Sequence, residues 1–286
     1  MSEKSSCCPT PEAVDATEAD DLRQGVRSAY AQVANASNAG DATGIAESCC
    51  GTSDDAQINT LISTRLGYSK EDLETVPEGA DMGLGCGNPR AIASLKPGET
   101  VVDLGSGGGF DCFLAAAEVT EAGTVIGVDM TPDMISKARK NADKGKYSQV
   151  EFRLGEIENL PVPDNTADVI VSNCVINLSP NKPQVFRETY RILKGGGRLA
   201  ISDVVATTEL PEEMRKDADL IAGCMGNASL ITDIEQMLAD AGFQDIRIAP
   251  KDESKEFISD WAPGRGVEDY VVSATIEAVK PAAKCC

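Results

Sequence analysis

The chain has 286 residues, of which 42% are hydrophobic and 25% are charged, and it carries a formal net charge of −20 with a pI near 4.4. This length and apolar content suffice for one large globular domain or two small ones. The excess of negative charge argues against a nucleic-acid backbone or an anionic membrane surface as partner, because both would repel the protein, and it favours small-molecule substrates.

The beginning of the chain is polar and acidic, which predicts a disordered tail over residues 1–20. It contains no apolar signal segment, and no run in the chain is long enough to span a bilayer, so we expect a cytoplasmic location and no membrane partner. Leu22, Val26, Tyr30 and Val33 then recur at helical spacing and predict a short amphipathic helix.

Cysteines lie in two predicted loops before residue 95. A stretch rich in Ala, Asn, Gly and Asp leads to Cys49 and Cys50, and Ser69 is the predicted N-cap of a short helix. Glycines then flank Cys86 on both sides. We expect this glycine-rich loop to leave the Cys86 thiol accessible.

A strand, a glycine turn and a helix follow one another from residue 99. The apolar run ends near Asp103, and glycines at positions 105, 107 and 109 precede a helical pattern. Such a turn lets the backbone approach a ligand closely and aims helix N–H groups at an anionic group. The dinucleotide fingerprint would need its third glycine where Phe110 stands, so NAD and FAD fit poorly.

A second predicted strand, 123–129, ends in a second carboxylate, Asp129. The arrangement of Asp103, Gly105, Gly107 and Asp129 resembles the S-adenosylmethionine site of class I methyltransferases. This resemblance implies that Asp129 accepts hydrogen bonds from the ribose hydroxyls. It also implies that the loop amides, with Ser106 among them, and the region of Asp103 hold the amino-acid end of the cofactor.

The rest of the chain alternates strands and helices. We predict strands at 150–157, 167–176, 198–204, 245–248 and 270–276, and helices at 182–193, from Pro211 toward Cys224, and at 231–241. Gly195–Gly197 is a predicted helix stop, and 205–228 is a predicted insertion beside the site. This alternation predicts an α/β fold with a doubly wound, mostly parallel, seven-stranded Rossmann-like sheet.

Several motifs together resemble one family, the arsenite S-adenosylmethionine methyltransferases, over about residues 60–245. They are Asp103-Leu-Gly-Ser-Gly, Gly127-Val-Asp-Met130-Thr, Ser172-Asn-Cys174-Val-Ile-Asn-Leu178, Gly85-Cys86-Gly87 and the Leu-Pro-Glu-Glu run before Cys224. The resemblance implies methylation of trivalent arsenic, delivered as a thiol conjugate, in arsenic detoxification.

Four further residues are predicted to contact the cofactor. Met130 is expected to pack on the adenosine, and the resemblance places Glu156 near the adenine with Ile157 packed on the ring. Asn173 either bonds the amino-acid moiety or ends its strand, and Glu156 is alternatively a solvated turn carboxylate.

The chain contains ten cysteines and no histidine. Absence of histidine excludes Ser-His-Asp and Cys-His catalysis, zinc sites that contain histidine, and a histidine general base. Arsenic(III) is soft and selects thiolates, and three thiolates leave it one lone pair, which can attack a sulfonium methyl without a general base. Cys174, at the carboxyl end of the fourth strand, is the best placed of the cysteines.

By resemblance, Cys174 and Cys224 bind arsenic through the reaction, and Cys86 completes the site. The resemblance also implies that Cys50 or Cys49 forms a disulfide with Cys86 as the product is reduced. Each of these cysteines is alternatively a small core residue without a function, because free cysteine is among the most buried residue types.

The remaining cysteines carry no predicted catalytic role. We interpret Cys112 as a core residue, and the pairs near each end of the chain as thiols of flexible segments that capture arsenic at most. These pairs are Cys7-Cys8 and Cys285-Cys286. A zinc site is disfavoured because no C-x-x-C spacing occurs.

The predicted organisation has four parts. A disordered tail (1–20) precedes an arsenic-site segment (21–94), the S-adenosylmethionine-binding domain (95–280) and a tail that ends in cysteine (281–286). The expected partners are the arsenic thiol conjugate and a thiol reductant such as thioredoxin or glutathione. The alternatives are a methyltransferase for a small organic acceptor and a non-catalytic protein that sequesters arsenic or metals.

Overall fold

A computed structural model describes residues 16–39 and 55–282 of the chain, and its amino-terminal part is helical. The helices here are Ala16–Ala39 (α1), Asp55–Arg65 (α2), Lys70–Thr75 (α3) and Arg90–Ala93 (α4). Helix α1 starts within the stretch predicted as a disordered tail, because strong helix formers such as Ala16 and Glu18 extend it toward the amino terminus. The predicted N-cap is confirmed, since the Ser69 hydroxyl and the Asp72 carboxylate each accept the other residue's backbone N–H.

The later helices lie between and beside the strands. They are Phe110–Val119 (α5), Pro132–Gly145 (α6), Lys182–Ile192 (α7), Glu212–Arg215 (α8), Ala218–Ala222 (α9), Ile231–Ala241 (α10) and Lys255–Trp261 (α11). Single 3₁₀ turns occur at Ile176–Leu178, Asp252–Ser254 and Val267–Asp269. Within residues 16–39 and 55–282, no helix has both the length and the apolarity that a membrane crossing requires.

One mixed sheet forms the centre of the fold. Its strands are Thr100–Leu104 (β1), Thr124–Asp129 (β2), Val150–Leu154 (β3), Ala167–Asn173 (β4), Leu193–Ala206 (β5), Gln244–Lys251 (β6) and Val271–Val279 (β7). The strand order is β3-β2-β1-β4-β5-β7-β6, and only β7 runs antiparallel to its neighbours. The predicted doubly wound, mostly parallel fold is confirmed.

Helices cover both faces of the sheet because successive strand residues point to opposite sides. On one face, Val102 packs in a core with Phe186 of α7 and Leu238 of α10. On the other, Val101 packs with Phe113 of α5. Burying a large apolar side chain contributes about 1.5 to 3 kcal/mol, so these two cores hold the strand ends in fixed positions.

Two of the predicted element boundaries are wrong, one because of strand pairing and one because of a local helix cap. Strand β5 starts at Leu193 and runs through Gly195–Gly197, because the Gly196 N–H donates to the Lys280 carbonyl and the Lys280 N–H donates to Gly197, both at 2.8 Å. The single helix predicted toward Cys224 is divided into α8 and α9. Asp217 caps α9 by accepting the N–H groups of two residues in its first turn.

Candidate active site

A cavity of about 1520 Å³ lies at the carboxyl ends of β1, β2 and β4. Its walls are the glycine loop after β1, one face of α1, the residues that follow β4, and the insertion that carries α9. Ligands of open α/β sheets gather at this edge, because the loops that leave parallel strands converge there. The cavity is therefore the candidate site for the cofactor.

The glycine loop fits a ligand that presses against the backbone. Gly105 has φ 69°, and a Cβ at this position would lie 2.4 Å from Cγ2 of Val175, so a side chain is excluded. Next to it, the buried Ser106 hydroxyl lines the cavity and has no hydrogen-bond partner among the described residues. A buried hydroxyl without a partner indicates a polar group that is supplied by the ligand.

Asp129 closes the other side of the loop. Its carboxylate accepts the Gly107 N–H at 3.0 Å and the Thr131 N–H at 2.8 Å. These bonds lower the pKa of the carboxyl, but burial outweighs them and raises it above its ordinary value. The carboxylate is thus held rigidly at the cavity wall, where it can accept further bonds.

Most residues predicted to contact the cofactor line this cavity, and one does not. Those at the wall are Asp103, Gly105, Ser106, Gly107, Asp129, Met130, Ile157 and Asn173. Glu156 is not among the described residues that line the cavity. Its carboxylate instead forms ion pairs with Arg23 at 3.6 Å and with Arg27 at 3.3 Å, both on α1. The neighbouring Glu158 takes a place at the wall, where it accepts the Ser179 hydroxyl at 2.7 Å.

The Asn173 side chain joins the cavity wall to the loop that carries Cys86. Its Oδ1 accepts the Cys86 N–H at 3.0 Å, and its Nδ2 donates to the Gly87 carbonyl at 2.8 Å and to the Tyr68 hydroxyl at 3.0 Å. Tyr68 in turn donates to the buried Asp111 carboxylate at 2.6 Å. Asn173 therefore holds the Cys86 loop against the end of β4.

Three cysteines that are far apart in the sequence meet at the end of β4. Cys174 follows the strand, Cys224 follows α9, and Cys86 comes from the loop between α3 and α4. The Cys224 thiol donates to the Cys174 carbonyl at 2.6 Å, and the Cys174 sulfur lies within 4.8 Å of the Cys86 sulfur. Cys174 and Cys224 also line the cofactor cavity.

The backbone at two of these cysteines is unusual. Cys174 has φ 60° and Cys224 has φ 64°, in the left-handed region that few residues with a side chain adopt. Such conformations cost about 1 to 3 kcal/mol and persist only where the surroundings enforce them. The surroundings therefore enforce an unusual turn at each of these two cysteines, and the Cys224 thiol meets the backbone of Cys174 there.

The prediction that the Cys86 thiol is accessible is wrong, since this residue is 1% exposed. Its glycine neighbours have the opposite effect to the one expected. A Cβ at position 85 would lie 2.8 Å from Asn173, and one at position 87 would lie 2.8 Å from the Ser202 hydroxyl. The flanking glycines therefore let the loop press into the end of the sheet and bury the thiol.

All three thiols are neutral when no ligand is bound. Burial raises the pKa of Cys86, and the hydrogen bond with Cys174 followed by burial raises the pKa of Cys224. For Cys174, the bond with Cys224 lowers the pKa, while the bond with Cys86 and burial raise it well above the ordinary value. Such thiols bind a thiophilic centre as thiolates, so each must lose its proton as its bond to that centre forms.

Four residues of the site had no role predicted from the sequence. Tyr30 of α1 places its hydroxyl against the Cys224 thiol, and Trp261 lines the cavity. Asp203 lies beside Cys86 and Cys174, and Glu158 replaces Glu156 at the wall. Periodicity assigns each of them to a helix, strand or turn, but it does not indicate which distant residue each one meets.

The other cysteines discussed from the sequence lie either in the core or outside the described residues. Cys112 is fully buried in the core of one sheet face, where its thiol donates to Asp103 at 3.2 Å, and this confirms its interpretation as a core residue. Cys50 and Cys49 lie outside the described residues, as do the pairs Cys7-Cys8 and Cys285-Cys286.

Comparison with known proteins identifies the family. Residues 95–242 match the family model for a methyltransferase domain. The arsenite methyltransferase of Halobacterium salinarum is 54% identical over 269 residues, which cover 92% of this chain and 68% of that protein. The arsenite methyltransferase of Homo sapiens is 38% identical over 202 residues, and these cover 66% of this chain and 53% of the human protein.

A solved structure agrees with these relatives. The crystal structure of an arsenic(III) S-adenosylmethionine methyltransferase from Chlamydomonas reinhardtii superposes with a TM-score of 0.60 at 30% identity, covering 79% of this chain and 75% of that one. This share of the chain is larger than the share matched by the family model. With its glycine loop, Asp129 and adjoining thiols, this chain belongs to the arsenite methyltransferases, a family of S-adenosylmethionine-dependent enzymes with the class I methyltransferase fold.

Proposed function

We propose that this protein transfers the methyl group of S-adenosylmethionine to trivalent arsenic held by Cys86, Cys174 and Cys224, in arsenic detoxification. One observation carries the proposal. The buried Cys174 thiol adjoins the buried thiols of Cys86 and Cys224, and Cys174 and Cys224 line the same cavity as the glycine loop and Asp129. The methyl acceptor and the methyl donor thus share one enclosed space.

The residues present at the cavity fit the cofactor. The loop amides and the unpartnered Ser106 hydroxyl would bind its amino-acid end, while Asp129 would bind the ribose. Met130 and Ile157 offer apolar surface for the adenine. When bound, S-adenosylmethionine supplies a methyl group activated by a sulfonium.

The thiols would act as ligands that present arsenic for attack. Arsenite or its thiol conjugate exchanges its ligands for the three cysteines, and each thiol proton leaves with a departing group. Arsenic then keeps one lone pair, and this pair attacks the methyl carbon directly. No general base is needed, which accords with a chain that lacks histidine.

The contribution of the protein to the rate is positioning. Cys174 and Cys224 are fixed by left-handed turns, and Cys86 is held by Asn173, so the arsenic would be set at one point above the cavity. Holding two reactants in line can amount to about 7 to 11 kcal/mol of the barrier in favourable cases.

Turnover requires that the arsenic be reduced after each methyl transfer. We propose that Cys50 or Cys49, outside the described residues, forms a disulfide with Cys86 at this stage. The two electrons pass to arsenic, which stays bound to Cys174 and Cys224. A thiol reductant such as thioredoxin or glutathione would then restore the thiols. A cytoplasmic location is part of this proposal, because reduced thiols persist in that compartment and the described cysteines are all free.

The test is transfer of labelled methyl from S-adenosylmethionine to arsenite in excess thiol. The variants are Cys174→Ser, Cys224→Ser and Cys86→Ser, with Cys112→Ser as the matched control because this cysteine is also buried. We expect transfer to fall to background in Cys174→Ser and Cys224→Ser, with cofactor affinity unchanged, and to persist in Cys112→Ser. Undiminished transfer in those two variants would contradict the thiolate assignment. Absence of transfer by the parent, despite cofactor binding, would favour an organic acceptor.

A further inference from the structure

A buried carboxylate lies directly beside the candidate arsenic site. Asp203, on β5, is 2% exposed, and one of its carboxylate oxygens, the Cys86 sulfur and the Cys174 sulfur all lie within 4.8 Å of one another. The register of β4 and β5 explains this, since Asn173 pairs with Ser202, and Cys174 and Asp203 are the residues that follow these two in the chain. An acidic side chain at this depth is rare unless it has a specific role or partner.

Hydrogen bonds stabilise the negative charge of Asp203. Its carboxylate accepts the Ile176 N–H and the Val204 N–H, both at 2.8 Å, and the Asn177 side-chain amide at 3.0 Å. These bonds, together with the nearby charge of Lys182, favour the ionised carboxylate in its buried setting. The Lys182 ammonium is itself occupied, since it donates to the Ser229 hydroxyl at 2.7 Å and to the Asn227 carbonyl.

This carboxylate does not help the thiols to capture arsenic. Its negative charge raises the pKa of Cys86, Cys174 and Cys224 and so opposes formation of the thiolates. Nor is it suited to bind arsenic itself, because both of its oxygens already accept hydrogen bonds and a soft centre prefers sulfur. Any benefit must therefore come after arsenic has bound.

The methyl transfer moves a positive charge toward Asp203. The arsenic lone pair forms the As–C bond, the C–S bond breaks, and its electron pair goes to the sulfur of the cofactor. Arsenic held by three thiolates is neutral before this step, and afterwards it has four bonds and one positive charge. The total charge is unchanged, but it has moved from the sulfonium to the arsenic, inside a buried cluster where an isolated charge is costly.

We propose that Asp203 is the fixed counter-ion for the positive charge that arsenic gains during methyl transfer. This role rests on the proposed function. An anion that is already oriented in a site shielded from water stabilises a charge that develops in the transition state without reorganisation. At a separation of about 5 Å and an effective dielectric constant of about 20, the attraction between the Asp203 carboxylate and a full positive charge on arsenic corresponds to a rate effect of about a hundredfold. Half of that positive charge corresponds to about tenfold.

The test compares binding with the rate of a single turnover. Asp203→Asn and Asp203→Ser are neutral variants of different size, so that one remains informative if the other fails to fold. Asp168→Asn is the matched control, because Asp168 lies at the start of β4 and bonds the Thr100 N–H at 2.8 Å and Lys194 at 2.7 Å. Arsenite binding and S-adenosylmethionine binding are measured by equilibrium dialysis. The transfer rate is measured with arsenite already bound and the cofactor saturating.

We expect the Asp203 variants to bind arsenite and cofactor within about threefold of the parent and to transfer methyl at least about tenfold more slowly. The Asp168→Asn rate should stay close to that of the parent. A single-turnover rate within threefold of the parent in a folded Asp203 variant overturns the inference. Loss of arsenite binding in both variants also overturns it, because Asp203 would then only build the thiol site. Failure of the parent to methylate arsenite would instead refute the proposed function.

Discussion

Replacing Asn173 with alanine tests whether this residue positions Cys86. The change removes the acceptor of the Cys86 N–H and the donors to the Gly87 carbonyl and the Tyr68 hydroxyl. Leaving such buried groups unpaired costs about 2 to 4 kcal/mol of unfolding free energy in total. For a chain of this size, the melting temperature should fall by about 5 to 15 °C.

The effect on activity should exceed the effect on stability. The loop that carries Cys86 loses its anchor at the end of β4, and a displacement of about 1 Å can cost about a hundredfold in rate. We therefore expect the maximal rate of methyl transfer to arsenic to fall by about tenfold to a hundredfold. Cofactor affinity should change less, because Asn173 is one of several wall residues and the glycine loop and Asp129 keep their own hydrogen bonds.

Asn88→Ala is the matched control for this prediction. Asn88 lies in the same loop and also makes two backbone hydrogen bonds, to the Gly67 carbonyl at 3.1 Å and from the Ala91 N–H at 3.2 Å. Its loss should lower the melting temperature similarly without moving the thiol. Calorimetry and labelled-methyl transfer would be measured on both variants below their melting temperatures. Equal losses of transfer in the two variants would refute the positioning role of Asn173.

Three further predictions concern the helix over the cavity and a buried lysine. Tyr30→Phe removes the hydroxyl that donates to the Ala222 carbonyl at 3.4 Å beside the Cys224 thiol, and it should weaken arsenite binding by about threefold to tenfold while cofactor binding, measured in parallel, stays constant. Arg23→Gln breaks the ion pair with Glu158 at 3.3 Å that holds α1 over the cavity. The KM for S-adenosylmethionine should rise by about threefold to tenfold, with a smaller change in kcat. An unchanged KM would show that the pair does not close the site. Burial lowers the pKa of Lys182 from 10.5 to about 8, so its folded state binds the proton less tightly than the unfolded state does. The unfolding free energy of the parent, relative to Lys182→Met, should therefore increase by about 3 kcal/mol between pH 8 and pH 10.5, and denaturant titrations that show a constant difference would contradict this.

The sequence by itself determined the fold and the cofactor loop, because both depend on local patterns. Apolar runs such as 100–104 form buried strands wherever they occur, and Gly105 is needed where a side chain would strike Val175. Alternation of strands and helices permits few topologies, so the parallel sheet and the position of Asp129 at its edge followed directly.

Only the tertiary structure decided how distant residues meet. The sequence suggested that the predicted arsenic ligands converge, but it placed Cys86 in an accessible loop, whereas packing against Asn173 buries it. It assigned Glu156 to the adenine, whereas this carboxylate pairs with Arg23 and Arg27 of α1 and is not among the described residues that line the cavity. It did not indicate a role for Asp203, because the neighbours of an acidic residue in an apolar strand depend on how that strand pairs with the next one. Contacts of this kind depend on the assembled sheet, and no periodicity within one segment encodes them.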